Sequence, residues 1–210
     1  MSNQRYEKLR AERPELFRNE PGGIEILTDP AAVAAAGGVL HQDAYMLLVR
    51  DPVRFPDGSR GTYIRSLSPT PEQGCAVLPL LDGDVVLIEH FRHSTRSWHW
   101  EVPRGFGTAG LSDEENAAKE LREEIGAVPD EVIPLGEVHP DTGLSSHRVS
   151  LFAARISGTG PLDKAEGIRR CLTVPFAEAE AMVGDGRITD AFTIAALMRA
   201  RLAGVAGEAP

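Results

Sequence analysis

Glu120, Glu123 and Glu124 fall within one helical turn of the segment 119–127, KELREEIGA. Residues three and four apart are neighbours on a helix, and like charges there cost roughly 0.2–0.5 kcal/mol per pair unless a cation lies between them. A hard divalent ion meets that need, because carboxylate oxygens suit Mg²⁺ and Mn²⁺ and leave coordination positions for phosphate oxygens. The chemistry indicated is metal-assisted work on a phosphorylated compound. The bland alternative is a solvated acidic helix whose Lys119 and Arg122 lace the surface with ion pairs.

The elements that must position these acids are legible on either side of them. Ser112 followed by Glu115 reads as a capping box, and Asp113 and Glu114 occupy the first turn, where the helix dipole favours acids. Ala117, Ala118, Leu121 and Ile125 form an apolar stripe, which predicts that this face meets a core while the glutamates face elsewhere. Gly126 supplies the stop. Ahead of the helix, Pro103, Gly105, Gly107 and Gly110 predict a loop whose backbone can approach a metal or phosphate closely.

The chain has 210 residues, 42% hydrophobic and 25% charged, enough for one sizeable core and a smaller appended element. A net charge of -9 argues against a nucleic-acid backbone as partner but not against a small phosphorylated substrate, since a metal ion brings its own positive charge. Cys75 and Cys171 sit in separate apolar, strand-like runs, which predicts free thiols and suits a reducing cytoplasm. No apolar run approaches the ~18 residues of a membrane span, and no signal peptide is indicated, so no membrane association is expected.

Three stretches follow along the chain: 1–68, a β-rich N-terminal element; 69–205, the main domain; and 206–210, a tail, with fraying expected from Gly204. In the first, strands are predicted at 41–50 and 61–67 around RFPDGS, and the alanines near 31–36 suggest a short helix limited by Gly37 and Gly38. The join SPTPEQG leads into CAVLPLL and VVLIEHFR, a hairpin turning at Asp82 and Gly83, whose nearly continuous apolar runs predict strands covered on both faces. Further strands are predicted at 98–102, 132–138, 148–156 and 168–174, and helices at 176–183 and 189–202. The mixture points to an α/β fold of α/β/α layers.

The segment 105–127 resembles the box of the Nudix hydrolases: G, five residues, E, seven residues, then R-E-U-x-E-E-x-G-U, with U aliphatic. Gly105, Glu120, Leu121, Glu123, Glu124 and Gly126 stand at box positions, and Ala127 takes the last aliphatic one. Leu111 replaces the loop glutamate and Lys119 the arginine. Those positions are commonly paired in the family, so their joint change reads as one compensated replacement. The resemblance implies an α/β/α sandwich around a mixed sheet.

Four further segments, IEHFR, WEVPRG, HPDTGLSSHRVSLFAA and GRITDAFTIAALMRA, resemble the ADP-ribose and nucleotide-sugar pyrophosphatases of that family. By this resemblance Glu120, Glu123 and Glu124, with the Arg104 carbonyl, hold Mg²⁺ or Mn²⁺, and Arg92, Glu101 and Arg104 contact a nucleoside diphosphate-linked small molecule. Glu166, in PLDKAEGIRRC, is the best match for a general base or further ligand. Asp163 is a substitute, Lys164 stands where relatives can carry an acid, and Ser146 and His147 likewise. The N-terminal hairpin implies a homodimer. Trp98 and Trp100, read as alternating along a strand so that one packs inward, and Tyr45 and Tyr63 are base-stacking candidates. The implied reaction is metal-dependent hydrolysis of a phosphoanhydride. A different class also stays open: a Nudix-fold module that binds or senses a nucleotide sugar without cleaving it.

Overall fold

The computed structural model describes residues 2–205, and the tail expected at 206–210 lies outside them. The chain divides into two compact units, Met1–Pro71 with Asp141–His147, and Glu72–Pro140 with Arg148–Pro210.

The first unit contains α1 (Ser2–Glu12), a 3-10 turn (Pro14–Phe17), β1 (Glu25–Ile26), α2 (Pro30–Ala36), β2 (Gly38–Gln42), β3 (Leu47–Arg54) and β4 (Arg60–Leu67). β4 pairs along one edge of β3, while β2 and β1 share the other, all antiparallel. The strand expected at 41–50 is therefore two strands. Asp43 breaks it, its carboxylate accepting the amides of Tyr45 and Met46, both at 2.8 Å, in an Asx turn. α2 forms as expected between an Asp29 cap and Gly37, whose φ of 109° ends it. α1 carries no apolar stripe to announce it. It docks mainly through Tyr6, which is fully buried with Phe17, Val33, Leu47 and Val49 and donates its hydroxyl to buried Asp51. Arg65 completes the cluster, its Nε 2.6 Å from Asp51 Oδ2. Asp141–His147 joins this unit through Ser66 N to Leu144 O at 2.8 Å and Ser146 N to Ser66 O at 3.0 Å.

The second unit contains β5 (Gly74–Leu81), β6 (Asp84–Arg92), β7 (Ser97–Glu101), β8 (Arg104–Gly105), α3 (Asp113–Ile125), β9 (Pro129–Val138), β10 (Val149–Ile156), β11 (Ile168–Val174), α4 (Phe176–Gly184) and α5 (Ala191–Leu202). Its mixed sheet runs β11-β6-β5-β10-β9, with β7 added on β6 and β8 on β5. β10 is parallel to β5 and the other pairings are antiparallel. The β5–β6 hairpin turns at Asp82 and Gly83, both at positive φ, as a two-residue loop requires.

Alternation along β5 sorts the two cores. Cys75 and Val77 face Ala117, Leu121 and Ile125 of α3, whereas Ala76, Leu78 and Leu80 face Ala179, Met182, Ala196 and Leu197 of α4 and α5. The result is the expected α/β/α sandwich with both sheet faces covered. At the end of α5, Val205 N donates to Ala200 O at 3.0 Å across a left-handed Gly204.

Candidate active site

The capping box of α3 forms as its sequence predicts, with Ser112 and Glu115 exchanging bonds of 2.8 and 3.1 Å, and Gly126 closes the helix. The helix does not present its three acids together. Glu120 and Glu124, four residues apart, lie on one buried side, 7% and 1% exposed, next to the apolar stripe rather than away from it. The Glu123 side chain is 52% exposed. Lys119 does not look to the loop, where Leu111 is exposed. Its ammonium sits 3.1 Å from Glu120 Oε1 and 2.6 Å from Glu123 Oε2.

Gly105 explains how Glu120 is accommodated. A Cβ at residue 105 would lie 2.2 Å from Glu120 Oε2, so the carboxylate rests against backbone that only glycine leaves bare. β8 fixes that backbone by pairing Gly105 with Cys75 and Arg104 with Ala76. Glu124 lies below, its Oε1 at the long limit of 3.5 Å from the Arg104 amide and its Oε2 buried with no hydrogen-bond partner among the described residues. Burial first, and the charge of Glu120 second, push the Glu124 carboxyl up to about 8. Burial also raises Glu120, with Lys119 opposing.

Glu166 lies on the exposed loop before β11, close enough that its charge raises both buried acids. Backbone bonds pin this loop between α3 and β6: Asp163 N to Glu124 O at 3.2 Å and Phe91 N to Gly167 O at 3.0 Å. Lys164 is exposed on the same turn, and the Asp163 carboxylate is engaged by the Ala165 amide at 2.8 Å. Ser146 and His147 belong to the first unit, as do Tyr45, largely exposed, and Tyr63, whose hydroxyl donates to Gly143 O at 2.8 Å.

Beside the acids a cleft of about 190 Å³ is lined by Arg92, Glu101, Arg104, His99 and Asp190 among others. Arg92 and Glu101 are brought together as a pair, Nε to Oε2 at 2.7 Å. Arg104 has its guanidinium 3.5 Å from both Glu101 Oε2 and Asp190 Oδ1, above the Phe192 ring at 4.7 Å. The three substrate-contact candidates thus share one cleft, and Arg104 joins it to the acids because its main chain lies beside Glu124. Sequence reasoning missed His99, which no local pattern marks, and Asp190. The signal for Asp190 was the N-cap pattern Asp190-x-x-Thr193, confirmed by Asp190 Oδ2 accepting from Thr193 N at 2.9 Å.

Trp98 and Trp100 are two apart on β7 and so share a face instead of alternating, but as expected one packs inward: Trp100 lies against the core of the second unit while Trp98 is exposed. A β-bulge between Ile168 and Arg170 lets two consecutive arginines reach that face, where both pair with Glu89. Arg169 covers one face of the Trp98 ring at 4.1 Å and Arg170 one face of the Trp100 ring at 5.0 Å.

Among the described residues, no three His, Cys, Asp or Glu side chains are gathered into a ready metal cage. The donor set still fits a hard divalent cation. Two mutually repelling buried carboxylates, one with an orphaned oxygen, are what such an ion neutralises, and a site with few protein ligands suits Mg²⁺, which keeps waters and substrate oxygens.

A glycine-bared backbone carrying one carboxylate, a second acid beneath it and a layered mixed sheet define a Nudix-type site. The chain belongs to the NUDIX family, whose domain model matches residues 70–192. It is 31% identical over 160 residues to a GDP-mannose pyrophosphatase of Yersinia enterocolitica, covering 69% of this chain and 83% of that protein. To a GDP-mannose pyrophosphatase of Yersinia pestis (strain Pestoides F) it is 30% identical over 155 residues, covering 68% and 78%. In fold it is similar to a crystal structure of an ADP compounds hydrolase, with a TM-score of 0.73 at 20% identity over 90% of this chain and 97% of that one.

Proposed function

We propose that this Nudix pyrophosphohydrolase cleaves the pyrophosphate bond of ADP-ribose or a related nucleoside diphosphate sugar, using Mg²⁺ or Mn²⁺, by attack of water at phosphorus. The observation that carries the reading is the buried pair Glu120 and Glu124, one seated against Gly105 and the other holding an unpartnered oxygen. The names of the relatives, GDP-mannose pyrophosphatases, favour a sugar nucleotide over a nucleoside triphosphate.

Glu120 and Glu124 would hold the cation, with the Arg104 carbonyl and Glu123 as further candidates. When bound, the cation lowers the charge of the diphosphate and makes a coordinated water more acidic. Arg104 and Arg92 supply guanidinium donors to phosphate oxygens, and Glu101 fixes the direction of both. Glu166, exposed and close to the acids, accepts the proton of the attacking water. The polar residues of the cleft, His99 and Asp190 among them, suit the hydroxyls of a sugar. We further infer a homodimer built through the N-terminal element. The free thiols of Cys75 and Cys171 suit a reducing cytoplasm.

Phosphate release, coupled to a phosphatase, from a panel of ADP-ribose, GDP-mannose, other nucleotide sugars, dinucleotides and nucleoside triphosphates tests this. Turnover of one class with Mg²⁺ or Mn²⁺, lost in Glu124→Gln, is the expected result. Silence across the panel, with nucleotide-sugar binding that needs no metal and survives Glu124→Gln, would instead establish a binding module.

A further inference from the structure

Lys119 makes contacts that its place in the helix does not require. Adjacent helical residues point about 100° apart and do not normally face one another, yet the Lys119 ammonium reaches Glu120 Oε1 at 3.1 Å as well as Glu123 Oε2 at 2.6 Å. A lysine pairing only at i, i+4 would extend along the surface to Glu123. This one folds its stem back so that the charge spans an exposed acid and a buried one, and its own side chain is 29% exposed. The carboxylate that Lys119 meets is the one seated on the bare backbone of Gly105, both of its oxygens lying within 2.5 Å of where a Cβ would stand.

The two buried acids are consequently unequal. Glu120 has a positive partner inside the protein, whereas Glu124 Oε2 has none among the described residues. We propose that Lys119 is a built-in counter-ion for the cation site: it neutralises Glu120 while no divalent ion is bound and must give up that oxygen when one binds, remaining tethered through Glu123. This rests on the reading that Glu120 and Glu124 hold the cation. Whatever favours the cation-free form lowers cation affinity by the same factor, so Lys119 sets an affinity threshold and steadies α3 in the empty state. Glu123 then acts chiefly as the tether of Lys119, a positioning residue.

Calorimetric titration of the full chain with Mn²⁺ and no substrate separates this from the parent reading. Lys119→Met, which keeps the stem and removes the charge, is expected to bind Mn²⁺ about fivefold or more tightly than the unaltered protein. Its cation-free melting temperature is expected to fall and its gain on adding Mn²⁺ to rise. Arg122→Met, a charge removed from the same helix without contact to Glu120, is the control and is expected to change affinity less. Lys119→Gln repeats the measurement should the methionine variant fold poorly. Equal Mn²⁺ affinity in all forms, weaker binding in Lys119→Met, or equal tightening in Arg122→Met would overturn the counter-ion role while leaving the cation site standing. Absence of Mn²⁺ binding in every form would overturn the cation site itself and this inference with it.

Discussion

Thr193 Oγ1 accepts the amide hydrogen of Val102 at 3.0 Å while donating to Asp190 Oδ2 at 2.8 Å. One threonine thus ties the start of α5 to the strand end that delivers Arg104, and Asp190 completes the loop by facing Arg104 with its other oxygen at 3.5 Å. Helix capping and the proposed substrate contact are joined in a single carboxylate. Asp190→Asn keeps a competent cap and removes the charge, so its melting temperature is expected to stay near that of the unaltered protein while KM rises. Asp190→Ala is expected to lose about 1 kcal/mol of stability as well. Thermal melts beside steady-state kinetics distinguish the two effects; equal melting losses in both variants would refute the separation.

Gly105→Ala places a methyl group where the Glu120 carboxylate lies, at 2.2 Å in the undisturbed geometry. Overpacking of this kind costs about 1–3 kcal/mol, and relief requires Glu120 to swing away. Turnover is expected to fall at least about 100-fold, as when a group stabilising the transition state is lost. Far-ultraviolet circular dichroism should stay native. An active Gly105→Ala enzyme would show that Glu120 need not rest on that backbone.

Glu123 and Glu124 are adjacent in sequence and differ in surroundings. Glu124→Gln is expected to remove at least about 100-fold of the activity. Glu123→Gln breaks an exposed ion pair of the kind worth under about 1 kcal/mol and is expected to stay within about fivefold. Turnover under saturating Mg²⁺ decides; losses of equal size would make Glu123 a ligand on the same footing as Glu124.

Glu89 gives stability an acid dependence of its own, apart from the Glu120 and Glu124 pair. Hydrogen bonds from Arg169 and, after the opposing effect of burial, Arg170 hold its carboxyl down at about 2, against an ordinary 4.5. A depressed carboxyl binds fewer protons folded than unfolded, so its contribution is complete above pH 4.5 and is lost as pH falls toward 2. Melting temperatures between pH 5 and 2.5 are expected to drop more steeply in the unaltered protein than in Glu89→Gln. Parallel curves would show that the arginine pair does not act through this group.

What sequence reading reached, and where it stopped, follows the range of the forces involved. The capping box at Ser112, the stop at Gly126 and the turn at Asp82-Gly83 are local, and all three form as expected. The sandwich was legible because β5 and β6 are apolar on both faces and the box marks the loop and helix. The strand expected at 41–50 failed on side-chain chemistry at Asp43. Helix α1 escaped because its docking rests on Tyr6 meeting Asp51, 45 residues away. Spacing groups all three acids and does not distinguish the buried pair at i, i+4 from exposed Glu123. The turn of Lys119 toward Glu120 depends on backbone laid bare at Gly105, and the joining of Asp141–His147 to the first unit rests on main-chain bonds that no side-chain pattern marks.

The chain has only two tryptophans, and both stand on β7 beneath guanidinium groups. Intrinsic indole fluorescence therefore observes the second unit alone, through the arginines that β11 lays over β7. If β11 parts from its neighbour the emission changes, whereas the first unit, whose aromatic residues are tyrosine and phenylalanine, could melt entirely without registering at indole wavelengths.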